Sequence, residues 1–179
     1  MFEIIETEIK GCFHIKPRVK IDERGCLIKV FNATYFEKTG IHLNFKEVFY
    51  TLSDRNVMRG MHFQVPPCDG GKIVYCLAGD VVDVILDIRK SSPTFGKYKV
   101  FELSSKTSDI VYMEAGLAHG FFVKSNRAIL MYHSTFEYSS TCDKGLLWNS
   151  FGAPWPTKEP VLSSRDKSFP KFFEYESPF

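Results

Sequence analysis

Apolar and polar side chains alternate with a period of two along most of the chain, and turn residues break the alternation roughly every eight to twelve positions. The clearest run sets Val82, Val84, Leu86 and Ile88 against Asp83, Ile85 and Asp87, and it is entered through a Gly79-Asp80 turn. Successive side chains of a strand point to opposite faces, so this run predicts a strand, with Ile73 to Leu77 as the strand before that turn. After a break at Ser91-Ser92-Pro93-Thr94, the same rhythm returns in Tyr98 to Leu103, Ile110 to Met113, Gly120 to Val123 and Ala128 to Ser134. Such spacing predicts an antiparallel sandwich or barrel.

Helices are few. Ala33 to Thr39 has Asn32 to cap its start and Gly40 to end it in the left-handed conformation. A second short helix begins near Ser163 and is stopped by Pro170. Pro154, Pro156 and Pro160 make the run from Phe151 to Pro160 an irregular connection. With no repeat or linker, the 179 residues predict one β-rich domain over 1–179, closed by a C-terminal wrap.

Composition narrows the partners. The 17 Phe, 8 Tyr and 2 Trp suit sandwich cores and pockets for sugars or bases. With 23 basic and 21 acidic residues, the chain lacks the clustered basic face that nucleic acid requires. Its most basic stretch, Arg89-Lys90, sits between Asp87 and a turn and so reads as a strand end. Five scattered cysteines without a C-x-x-C pair predict free thiols in a reducing compartment. Met1 to Gly11 carries three glutamates and no apolar stretch, unlike a signal peptide, and no apolar run reaches membrane-spanning length. A soluble, cytoplasmic protein with neither nucleic-acid nor membrane partners is expected.

The candidate chemistry begins at Arg59-Gly60-Met61-His62-Phe63-Gln64, followed by Gly71-Lys72. On a strand, Gly60, His62 and Gln64 share one face. A base and a cation aimed at one volume suit removal of a proton from carbon next to a carbonyl. Taken singly, these residues have plainer readings. His62 fits a satisfied strand histidine, Lys72 a turn lysine, Tyr132 a core residue, and Asp166 a carboxylate capping a helix start.

Several blocks stand together in order: Asp22-Glu23-Arg24-Gly25, Arg59 to Gln64, Gly71-Lys72, Asp87 to Gly96, Gly116-Leu117-Ala118-His119-Gly120-Phe121, Tyr132, Trp148-Asn149, Trp155-Pro156 and Leu162 to Asp166. Their order and spacing resemble the dTDP-4-dehydrorhamnose 3,5-epimerase family, over about Asp22 to Asp166. The resemblance implies an all-β fold, an antiparallel β-sandwich jelly roll of cupin type with short peripheral helices. It also implies a homodimer without metal or organic cofactor, acting on a nucleoside-diphosphate 4-keto-6-deoxy sugar. Position by position, it places the base at His62, its orienting carboxylate at Asp166, the enolate-stabilising cation at Lys72 and the opposite-face acid at Tyr132. Arg59 and Arg24 match diphosphate contacts, Arg24 near a subunit boundary, and His119 matches a residue of the same cavity.

The chemistry accounts for those residue types. A C4 ketone makes the hydrogens on C3 and C5 removable, and an ammonium aimed at the resulting oxyanion in a water-poor site is worth roughly 3–4 kcal/mol. A neutral imidazole is a suitable base at cell pH. Asp166 would hold its tautomer, and a phenol on the other face would return a proton and invert the centre.

The chain departs from the family pattern around the nucleotide. Glu47 and Phe49 stand where the family has a glutamine and an asparagine, Lys29 replaces a glutamate, and Cys26-Leu27 replaces an aromatic pair. Past Tyr132, His133 and Phe136-Glu137-Tyr138 replace a lysine and an Asn-Tyr-Tyr run. Expected substrate-binding positions are therefore Arg24, Arg59, His119, Gln64, Glu47 and Tyr138, with the base and the number of inverted centres left open. Two rival enzymes remain. A cupin 3,4-ketoisomerase would move the carbonyl of a similar sugar, and a metal-dependent cupin would need His62, His119 and Glu102 to converge.

Overall fold

The computed structural model describes residues 2–179. Thirteen strands occur among the described residues. The first four are β1 (Phe2–Glu6), β2 (Cys12–Pro17), β3 (Val19–Asp22) and β4 (Gly25–Ile28). Helix α1 (Ala33–Glu37) leads into β5 (Glu47–Asp54), β6 (Met58–Gln64), β7 (Lys72–Ala78) and β8 (Asp80–Asp87). Then follow β9 (Tyr98–Ser104), β10 (Ile110–Met113), β11 (Leu117–Val123), β12 (Arg127–Ser134) and β13 (Asp143–Gly145), and finally α2 (Ser164–Lys167) and a 3₁₀ turn at Phe172–Glu174.

Two sheets form the expected antiparallel sandwich. One has the order β1-β2-β10-β7-β12-β5, the other β13-β6-β11-β8-β9, and β3 and β4 make a separate exposed hairpin. Between the sheets, Val74, Cys76 and Leu130 meet Val81, Ile85 and Phe121. Strand β8 is covered on both sides: Val82, Val84, Leu86 and Ile88 pack outward beneath Leu146, Trp148 and Phe172. The C-terminal wrap thus shields a strand face that the sequence left apolar. On the other sheet, Ile73, Tyr75 and Tyr112 are covered by Phe2 and Phe36 from the N-terminal region and α1.

The local signals act as expected in both helices. Asn32 accepts a hydrogen bond from Tyr35 N at the start of α1, and Gly40 takes φ +82° beyond its end. Ser163 caps α2 in the same way, its hydroxyl accepting from Asp166 N at 3.0 Å. The Asp87 to Gly96 block is a structural knot: fully buried Asp87 accepts from Arg89, Ser92 and Thr94. Burial pushes against ionisation there, and those donors overcome it to hold the carboxyl below its ordinary range.

Two expectations are corrected. The cysteines are not all free: Cys68 is paired with Cys142 as a disulfide, while Cys12, Cys26 and Cys76 remain thiols. The segments holding the pair, far apart in sequence, are brought together by Val65 N donating to Cys142 O and by Gln64 bonding both loops. Alternation also fails through Gly60. That residue has φ +130°, and a Cβ there would run into Gly120 Cα and His119 O, so it packs against β11 while Arg59 and His62 both face the cavity. A register shift between His119 and Phe121 on β11 accompanies the break.

Candidate active site

A cavity of about 290 Å³ opens between the sheets at one end of the sandwich. His62 on β6 and His119 on β11, cross-strand partners, line it from one sheet; Tyr132 on β12 and Lys72 on β7 line it from the other. His62 keeps 32% of its side chain exposed, into this space, while its Nε2 lies 3.0 Å from Oδ1 of Asp166, whose side chain is 6% exposed. The second oxygen of Asp166 accepts from Gly60 N at 3.2 Å. Asp166 is therefore not a helix cap. Its own amide is capped by Ser163, which frees the carboxylate to reach the histidine. Burial opposes the charge on Asp166, but bonds from His62, Gly60 and Ser163 outweigh it and hold the carboxyl below its ordinary range.

The imidazole is held from a second side by Phe169, edge-on at 5.7 Å. Room for that ring depends on Gly145, the cross-strand partner of His62, because a Cβ at Gly145 would collide with Phe169. With Nε2 directed at a carboxylate, the Nε2–H tautomer is favoured and Nδ1 is the nitrogen left to act as base.

Lys72 has its ammonium pulled down to about 8 by burial, with Asp83 and Asp143 acting in the opposite direction. Burial likewise drives the Tyr132 phenol well above its ordinary range, so it stays protonated. His119 and Asp83 form a buried pair, Nε2 to Oδ2 at 2.6 Å; burial still holds His119 below its usual value despite that carboxylate. The cavity therefore contains a carboxylate-bound imidazole, a lowered ammonium, a protonated phenol and a second fixed imidazole.

The remaining sequence-predicted residues divide. Arg59, Glu47 and Tyr138 line the cavity mouth, with Arg59 Nε donating to Ser53 Oγ and Tyr138 N donating to Glu47 Oε2. Gln64 also lines it, but its amide already ties the loops together: it donates to Cys68 O and Glu137 O and accepts from Ser139 N. The structure does not bring Arg24 to this cavity. It stands on the exposed β3–β4 hairpin, 83% exposed and paired with Asp22. Glu102 pairs with Lys124 at the surface, so the His62, His119 and Glu102 set does not converge.

Sequence reasoning passed over Asp83, which looked like one polar position of an alternating strand, and Ser134, whose buried hydroxyl lines the cavity without a partner among the described residues. It also passed over Arg165, which lines the cavity, pairs with Asp143 at 2.6 Å and lies over Phe169. The doubly buried β8 was the one available signal for Asp83, since a carboxylate enclosed on both sides needs a partner.

A jelly-roll sandwich that gathers a carboxylate-bound imidazole, a buried ammonium and a protonated phenol around one cavity has groups suited to sugar-nucleotide isomerisation. Comparison with known proteins agrees. The sequence model of the dTDP-4-dehydrorhamnose 3,5-epimerase family matches residues 6–174. The chain is 38% identical over 174 residues to the dTDP-4-dehydrorhamnose 3,5-epimerase of Shigella flexneri, covering 96% of each. It superposes with TM-score 0.93 and 32% identity on the dTDP-6-deoxy-D-glucose-3,5-epimerase of Legionella pneumophila in complex with dTDP-4-keto-L-rhamnose, covering 98% of this chain and 95% of that one. A 3'-monoepimerase from Streptomyces bikiniensis in complex with dTDP-quinovose shares the fold, with TM-score 0.88, 27% identity and coverage of 93% and 86%. The chain belongs to the dTDP-4-dehydrorhamnose 3,5-epimerase family.

Proposed function

We propose that residues 1–179 form one catalytic unit that inverts C3, C5 or both in a nucleoside-diphosphate 4-keto-6-deoxyhexose. The observation carrying this is the placement of His62 and Tyr132 on opposing sheets across one cavity, with Lys72 on its wall. Nδ1 of His62 takes a proton from carbon next to the C4 ketone, and Asp166 steadies the imidazolium. The electron pair moves to the C4 oxygen, where the Lys72 ammonium meets the developing charge. Tyr132 then protonates the carbon from the other face, and the ketone re-forms with the centre inverted.

Arg59 at the mouth supplies a guanidinium for the diphosphate. The working form is a homodimer. Edge strand β5 exposes Val48, Tyr50 and Leu52, an apolar surface suited to a second copy, and the free β3–β4 hairpin would carry Arg24 toward a neighbouring subunit's mouth. No helix of the described residues is long and apolar enough to cross a membrane. The cytoplasm, where nucleotide-activated sugars are made, is the proposed site of action.

The test is incubation of the protein with a panel of 4-keto-6-deoxy nucleotide sugars in heavy water, followed by NMR. Deuterium at C3 or C5 together with an inverted product supports the proposal. Carbonyl migration to C3, or no exchange with any member of the panel, overturns it.

A further inference from the structure

Strand β5 turns Glu47, Phe49 and Thr51 toward the cavity, one at every second position. Phe49 is the cross-strand partner of Tyr132, and the two rings lie nearly parallel, 4° apart in plane and 4.6 Å between centroids. His119 meets the same phenol edge-on at 6.0 Å and 67°, and is itself anchored by Asp83. The phenol of Tyr132 is thus held between one flat ring and one fixed edge. Phe49 is 40% exposed, so core packing does not explain a phenyl at this place. Close stacking of two aromatic rings is a directional contact that an amide or an aliphatic side chain cannot reproduce.

We propose that Phe49 is a positioning residue that holds the Tyr132 phenol at one orientation over the bound sugar ring, and so sets how often proton removal ends in inversion. This rests on Tyr132 as the acid. In the step concerned, the phenol O–H bond breaks as a C–H bond forms on the enolate carbon and the C4 oxygen returns to a ketone. The phenolate then takes a proton from water, and the His62 imidazolium releases its own proton to solvent. If the phenol is misaligned, the imidazolium exchanges its proton with solvent and returns the new one to the original face, so the enolate re-forms the ketone without inversion. The substrate is then labelled but not inverted.

The test compares wild type, Phe49→Leu and Phe49→Tyr in heavy water, measuring deuterated uninverted substrate against inverted product. In Phe49→Leu, inverted product per exchange event should fall about tenfold, whatever the change in KM. Phe49→Tyr, which keeps the stack, should behave as wild type. A second measurement needs no substrate. In ¹³C-tyrosine-labelled protein, the Tyr132 ring signal, assigned by its loss in Tyr132→Phe, should shift in Phe49→Leu and stay in place in Phe49→Tyr. An unchanged ring signal in Phe49→Leu, or an unchanged ratio of inversion to exchange, overturns the proposal. Absence of exchange in the wild type would instead sink the assigned reaction, and the ring signal would still judge whether Phe49 holds the phenol.

Discussion

His62 Nε2 and Asp166 Oδ1 lie 3.0 Å apart although 104 residues separate them in sequence. The pairing ties β6 to the C-terminal wrap and aims Nδ1 of the imidazole into the cavity. Asp166→Asn would keep the shape but lose the charge and the tautomer preference. Its kcat should drop on the order of 10³–10⁴-fold while KM changes little, checked by steady-state kinetics.

The same pair links to acid stability. The folded carboxyl of Asp166 sits below its unfolded value of about 3.9, so its contribution is present above that pH and is lost as pH falls through the folded value. Urea midpoints of wild type and Asp166→Asn should therefore differ at pH 7 and converge below about pH 3.9.

On the proposed mechanism, Lys72 sets the alkaline side of the activity profile. Burial brings its ammonium to about 8, and only the charged form can meet the enolate oxygen. The kcat/KM of the wild type should fall as pH rises through about 8. In Lys72→Arg, whose guanidinium stays charged, that limb should disappear from the residual activity.

Gly60 admits no side chain. It combines φ +130° with contact against the Gly120 and His119 backbone, and its N–H holds Asp166. Gly60→Ala should cost about 3 kcal/mol in stability, read from denaturant unfolding, and should release the dyad.

Thiol counting tests the Cys68–Cys142 pair. Exposed Cys26 should react at once with a thiol reagent in the native protein, whereas burial raises Cys12 to about 12 and Cys76 to about 11 and keeps them inert. Unfolding without reductant should expose three thiols, and unfolding with reductant all five. Five thiols without reductant would show that the pair does not form.

Much of the sandwich was legible because β8 alternates, Gly79 marks the turn before it, and Asn32 and Ser163 act locally as caps. What escaped depends on contacts distant in sequence. The Asp83–His119 pair and the Cys68–Cys142 bridge appear only once the sheets close, whereas the reach of Asp166 to His62 was expected only through the family resemblance. Gly60 misled for a different reason: alternation assumes a regular strand, and its left-handed backbone breaks that regularity where Arg59 and His62 must face the same way.

The most direct measurement is deuterium uptake at C3 and C5 by His62→Asn and Tyr132→Phe with a 4-keto-6-deoxy nucleotide sugar in heavy water. His62→Asn should incorporate no label above the uncatalysed rate. Tyr132→Phe should still incorporate label but yield little inverted sugar. Wild-type exchange by His62→Asn, or full inversion by Tyr132→Phe, would contradict the two-sided proton transfer across this cavity.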